Sequence, residues 1–311
     1  MTPLRITPRT RLLIFSGLLY VVLVWALNTV LVKFAIESID PLTFTLFRFA
    51  AMTPLAWLLV IVRRERVRID RKDMPTLVLC AACGYGVYQY LWVIGLSHTT
   101  AFASALLGGT TPIFTLAIVA LFGLERVRSG RWLGAIIAFI GIAVFEGALI
   151  GRFAIGLGDT LTLLAAVSFA SYSVVSGRLL NRYSPVALLA ITITIGALMI
   201  LPGGLWSLRV HGLPTFSPPT FLAYLYSVIF PIILTYPVWF FGISRIGAGR
   251  VGLFGFFVPI FAGILSTLIL HATIPEYEVV GACVTLGGMA IAQFLGTRSI
   301  RPSQRTLPTT R

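Results

Sequence analysis

The stretch "GISRIGAGRVGLFGFFVPIF", residues 242–261, has a counterpart 147 residues earlier in "GLSHTTAFASALLGGTTPIF", residues 95–114. From Trp92 to Phe114 against Trp239 to Phe261, nine of 23 positions are identical. The same offset pairs "GAIIAFIGIA" at 134–143 with "GACVTLGGMA" at 281–290. An offset of 144 sets Ala26 against Ala170 and Pro41 against Pro185. The chain therefore reads as one unit written twice, over 1–150 and 151–297, with a basic tail at 298–311.

Each unit is strongly apolar. The chain is 58% hydrophobic and 11% charged, with a mean hydropathy of +0.95, whereas soluble domains are nearer a quarter charged. The apolar residues fall in runs long enough to cross a bilayer, about 20 residues each. Ten runs qualify: 12–33, 42–62, 74–95, 99–122, 132–150, 158–180, 185–208, 219–241, 249–270 and 279–297. Each unit thus holds five crossings. Five is odd, so a unit that begins on one side ends on the other, and its copy is inverted. The expected fold is an all-α integral membrane protein of ten transmembrane helices in two inverted five-helix repeats, an architecture associated with alternating access.

Charge gives the direction. Twenty of the 24 Lys and Arg residues fall on one face of a ten-span arrangement, the others being Lys33, Arg48, Arg152 and Arg209. That asymmetry places the N-terminus and C-terminus in the cytoplasm. It also accounts for Arg245 and Arg250 in the second copy, which sit where the first copy has His98 and Ala103. The first copy's turn faces outward and the second copy's turn faces the cytoplasm. The net charge of +14 is spread over short loops without interleaved aromatics, so it does not read as a nucleic-acid surface. The first apolar run is too long for a signal-peptide core and is read as a retained span.

Two kinds of residue stand out inside the spans. The first are helix breakers: Gly108, Gly109 and Pro112 in span 4, with Gly255 and Pro259 at equivalent places in span 9. Proline removes one helical hydrogen bond and crowds the turn before it, so the matched pair reads as a hinge for gating. Pro231 and Pro237 are expected to bend span 8. The second kind is polar and aromatic. Tyr85, Tyr88, Gln89 and Trp92 fall at i, i+3, i+4 and i+7, one helical face. Span 1 adds Trp25 and Asn28, span 6 adds Ser168 and Tyr172, and span 8 adds Thr235, Tyr236 and Trp239. A buried amide needs a hydrogen-bond partner, and a shared substrate cavity supplies one; interhelical packing is the plainer use of the same residues.

Lys33 ends span 1, and Arg48 lies about two turns into span 2. No Asp or Glu sits at a midplane, which argues against a simple carboxylate-driven antiporter. His98, His211 and His271 are scattered at the outer face. Cys80, Cys83 and Cys283 lie in apolar segments without a second CxxC, so no metal site and no cofactor is expected. Without HExxH, GxSxG or a mid-membrane His/Asp/Glu group, the chain does not read as an enzyme. Nor does it offer the polar ring or filter of a channel.

The segments "VWALNTVLVK" at 24–33, "DPLTFTLFRF" at 40–49, "TTPIFTLAIVALFGLER" at 110–126 and "FFVPIFAGILSTLIL" at 256–270 resemble the drug/metabolite transporter superfamily, in its EamA-type members. Lys33, Arg48, Pro112, Glu125 and Pro259 fall on that family's recurring positions. Ala26 replaces the usual glycine after the tryptophan, and the acid that often closes the second proline helix is displaced to Glu276. The aromatic lining looks most like the bacterial aromatic amino-acid exporters. That resemblance implies a multi-pass protein of the bacterial inner membrane exporting aromatic or hydrophobic amino acids, as a monomer or weak dimer. A multidrug or quaternary-cation efflux transporter of the same superfamily is the alternative.

Overall fold

The computed structural model describes residues 8–123, 129–151, 154–235, 238–239, 241–242 and 253–294. Tyr236, Pro237, Arg245, Arg250, Glu125 and the tail at 298–311 lie outside them. Every regular element among the described residues is helical. In chain order these are α1 (Pro8–Ile36), α2 (Pro41–Val62), α3 (Met74–Ala81), α4 (Val87–Ser97), α5 (Ala101–Gly108), α6 (Thr111–Leu121), α7 (Ser129–Phe145), α8 (Leu157–Leu179), α9 (Pro185–His211), α10 (Pro218–Ile229), α11 (Phe257–Leu270) and α12 (Glu276–Phe294).

Local chemistry sets several of these boundaries. Asp40 precedes Pro41, Ser184 precedes Pro185 and Ser217 precedes Pro218. In each pair the first side chain accepts a hydrogen bond from a backbone N–H of the first turn, and the proline occupies a position that needs no N–H. Large apolar side chains such as Leu58, Ile61, Leu222 and Leu268 remain more than half exposed around the bundle. In water such a surface would associate; here it is the face offered to lipid.

Six helical stretches are long and apolar enough to cross a membrane: Leu12–Ile36, Pro41–Val62, Arg71–Ser97, Ala101–Leu121, Leu157–Leu179 and Pro185–His211. Ser129–Phe145, Pro218–Ile232 and Phe254–Leu270 are apolar but shorter. All three lie next to or within a few residues of positions outside the described set, the first directly after 124–128. The first stops at Phe145, before the expected boundary at 150, so Glu146 lies beyond it.

Four expected spans are interrupted. Between α3 and α4 lies a π-helical segment, Ala82–Gly86, and α10 runs into a second, Phe230–Leu234. The two begin 148 residues apart. Span 4 breaks at Gly109–Thr110, between α5 and α6, and α11 is preceded by a 3₁₀ turn at Leu253–Phe256.

The seams that build the bundle are α2 on α9, α4 on α8, α1 on α10 and α11, and α7 on α12. The α7–α12 seam is set by glycine. A Cβ on Gly134 would lie 2.2 Å from the Ala292 backbone nitrogen, and one on Gly281 would lie 2.3 Å from that of Phe145. Only hydrogen fits there, so two backbones meet directly. This pair stands at the edge of the bundle, away from the polar residues considered next.

Candidate functional site

Each π segment leaves carbonyl groups that must find partners outside the backbone ladder, because lipid offers none. Ser227 in α10 is four residues before Pro231, which has no N–H to give it. Its carbonyl instead accepts from Arg48 Nε on α2, at 3.2 Å. The N–H of Thr235, which in an α-helix would bond the carbonyl of Pro231, goes to that of Ile232. The Pro231 carbonyl accepts from the Thr235 hydroxyl at 2.6 Å and from Trp25 Nε1 on α1 at 3.1 Å. Trp25 Nε1 also lies 3.0 Å from Thr235 Oγ1. In the other π segment, the carbonyl of Cys83 accepts from Ser168 Oγ on α8, at 3.0 Å. Cys83 and Pro231 are themselves 148 residues apart.

The aromatic residues form two groups. In one, Tyr88 is stacked near-parallel with Trp92 (6.5 Å, 12°) and packs on Phe169 at 5.1 Å. Phe169 reaches Tyr172 at 5.3 Å, and Tyr172 meets Tyr85 edge-on at 5.8 Å. In the other group, Trp25 lies 4.8 Å from Trp239. The i, i+3, i+4, i+7 spacing places Tyr85 on the same face as Gln89 and Trp92, and the structure rotates it away. Tyr85 sits inside the π segment, whose extra residue per turn displaces the helix face by about 100°. It packs on Phe49 and against α9 at Gly196.

Asn28 and Gln89 are 8% and 6% exposed, and their amide oxygens have no hydrogen-bond partner among the described residues. Sequence singled out both. It did not single out Ser104 on α5 or Ser266 on α11, each 1% exposed with a hydroxyl that has no partner among the described residues. Serine is too common in apolar helices for its presence to signal burial. Thr235 is wholly buried and its hydroxyl is engaged within the protein, by Pro231 and Trp25.

The two intramembrane cations differ. Lys33 Nζ donates to the carbonyls of Leu96 and Ser97, at 3.0 and 3.4 Å, at the negative end of α4. Arg48 is 4% exposed, with its guanidinium carbon 5.8 Å from the centre of the Trp92 ring. Among the described residues no carboxylate pairs with it.

The helix breakers meet across the bundle. Pro259 Cγ lies 3.4 Å from where a Cβ on Gly109 would sit. Around Gly108 and Gly255 there is open space for a side chain. Pro112 opens α6, and the Gly108 carbonyl that its ring deprives of a partner accepts from the Thr111 hydroxyl at 2.7 Å. The chain break in span 4 is thereby satisfied locally.

The loop ends hold the titrating groups. Burial alone would raise the pKa of Asp40. Hydrogen bonds from Ser207 and from the Thr43 and Leu42 amides, with the neighbouring His211, outweigh it and hold the carboxyl below its ordinary range. Glu146, just past α7, is pushed up to about 7 by burial and by the nearby carboxylates of Asp159 and Glu278. At the opposite end, Arg182 binds both Asp70 and Asp73, and the Tyr183 hydroxyl donates to Asp73 at 2.8 Å. This cluster joins the loop before α3 to the loop between α8 and α9.

The profile of the EamA-like transporter family matches residues 12–146 and again 156–293. A probable amino-acid metabolite efflux pump of Salmonella typhimurium is 27% identical, over 89% of this chain and 93% of its own. A probable terminal-alkyne amino-acid exporter of Streptantibioticus cattleyicolor is 26% identical over 74% and 75%. An uncharacterized transporter of Archaeoglobus fulgidus is 24% identical over 86% and 92%. One solved crystal structure superposes with a TM-score of 0.64 at 20% identity, covering 92% of this chain and 99% of that one, which concerns the fold alone. With apolar helices throughout and a family match over most of its length, the chain belongs to the EamA-like transporter family of membrane proteins.

Proposed function

We propose that the protein exports amino acids with aromatic or other hydrophobic side chains across the bacterial inner membrane, by alternating access and with no covalent step. The observation that carries this reading is one combination of residues. An aromatic wall from Trp92 through Tyr88 and Phe169 to Tyr172 adjoins Gln89 on the helix of Trp92 and Tyr88, and Gln89 and Asn28 of α1 are buried with amide oxygens that have no partner among the described residues. Aromatic faces suit an apolar side chain, and free amide oxygens suit an ammonium group. Two relatives named for amino-acid efflux support the same substrate class.

The transport architecture is ten crossings in two inverted halves, divided near residue 151, with both termini cytoplasmic. Support comes from the 148-residue spacing of the π segments and from the family profile matching once in each half. Gly109 and Pro259, in contact where α5 and α11 pack, act as the hinge between states. Gly108, Pro112 and Gly255 flank it. The test is counterflow of labelled phenylalanine in proteoliposomes. Saturable counterflow is expected. Flux that rises linearly with substrate would indicate a channel and defeat the reading.

A further inference from the structure

We propose that Arg48 is the carboxylate-binding residue of this site, so that the protein takes substrates bearing a free α-carboxylate and rejects their decarboxylated or amidated analogues. The proposal rests on the amino-acid-export reading and assigns the polarity of the bound substrate within it.

A cation taken out of water is expensive unless a counter-charge and good hydrogen bonds replace its hydration. Arg48 is 4% exposed and has neither in full. Of its five N–H groups, only Nε–H has an acceptor among the described residues, the Ser227 carbonyl at 3.2 Å. Attraction to the Trp92 face recovers a further part. Lys33 shows what a purely structural cation looks like in the same bundle: two carbonyls at a helix C-terminus take its charge. Capping Ser227 does not require a charge either, since any donor of that length would serve. What the guanidinium adds is a planar fork that matches a carboxylate through two parallel hydrogen bonds.

Its neighbours complete the complement of an α-amino acid. Arg48 lies over Trp92, which stacks with Tyr88. Gln89 is one turn from Trp92 on the same helix face, with its amide oxygen unpartnered. Cationic donor, aromatic faces and neutral acceptor thus adjoin along α4, in the order carboxylate, side chain, ammonium. A quaternary cation would meet a fixed positive charge here. The unpaired guanidinium therefore separates amino-acid export from cation efflux.

The experiment is competition with labelled-phenylalanine counterflow by phenylalanine, 3-phenylpropionate, phenylalaninamide and phenethylamine. In the wild type the two acids are expected to compete, and the amide and amine to be weaker by at least about tenfold, the minimum for losing a charge-assisted pair. Equal competition by all four overturns the proposal while leaving export intact. No phenylalanine counterflow at all defeats the export reading and the proposal with it. The wild-type series needs no variant to fold. Arg48→Gln, checked for an unchanged elution profile in detergent, should lose the acid-over-amide preference, and Arg48→Lys should retain it in part. A folded Arg48→Gln protein with the wild-type preference also overturns the proposal.

Discussion

The Pro231 carbonyl offers a quantitative test of how this bundle tolerates its broken helices. It accepts from two side chains, the Thr235 hydroxyl and the Trp25 indole. Trp25→Phe removes one donor and keeps most of the ring. Thr235→Val removes the other at nearly constant volume. Each single change leaves the carbonyl with a remaining partner, so each should cost about 1 kcal/mol, the net value of one hydrogen bond. The double change leaves the carbonyl bare in an apolar interior, a further penalty of about 1–3 kcal/mol. One correction works against this. The indole N–H is shared with Thr235 Oγ1, so about 0.5 kcal/mol is lost in both single variants and counted twice. The net coupling should be about 0.5–2.5 kcal/mol, with the double variant worse than the sum. Unfolding of the purified protein in mixed micelles by SDS titration would measure it. A double variant additive within about 0.5 kcal/mol, the scatter of independent sites, would refute the argument that these two side chains stand in for the missing backbone bond.

Four further outcomes follow from the same geometry. Gly281→Leu forces a side chain against the Phe145 backbone and should cost about 3 kcal/mol or more, seen as a lowered melting temperature, while Gly255→Ala, where there is open space, should fold normally. Asp40→Asn removes a carboxylate whose pKa is held low. The wild type keeps that stabilisation above the ordinary aspartate pKa of about 3.9 and loses it as pH falls through the depressed value. The variant should melt lower at neutral pH and lack that acid-dependent loss. Glu146 is shifted the other way. The native state holds its proton up to about 7, so wild-type stability declines as pH rises between about 4.5 and 7. Glu146→Gln should flatten that part of the pH–melting curve. Ser168→Ala removes the hydroxyl on the Cys83 carbonyl and should cost about 1 kcal/mol or more.

Much of this was legible in the sequence because membrane helices announce themselves by length and apolarity. Proline and glycine are also explicit about where a helix fails: Gly108, Gly109 and Pro112 mark the break between α5 and α6, and Pro231 marks the second π segment. The first π segment was not legible. "ACGYG" at 82–86 contains no proline, and nothing local distinguishes it from a packed α-helix. That hidden residue per turn is why Tyr85 leaves the face that periodicity assigned to it. Burial was equally invisible. Arg48 and Lys33 look alike as intramembrane cations, and only tertiary packing separates the one held by a helix end from the one whose other four donors have no acceptor among the described residues. Thr235 was read as a substrate ligand from its depth, but depth does not reveal that the Pro231 carbonyl already claims its hydroxyl.

The two bulge caps cross between the halves of the chain. Trp25, in the first half, covers a carbonyl of the second, and Ser168, in the second half, covers a carbonyl of the first. The Cys83 carbonyl depends on the other half outright, whereas the Pro231 carbonyl also keeps the Thr235 hydroxyl of its own half. A chain cut near residue 151 would leave the Cys83 oxygen without its side-chain donor in an apolar surrounding, so the residues before the cut depend on those after it for the solvation of their own backbone.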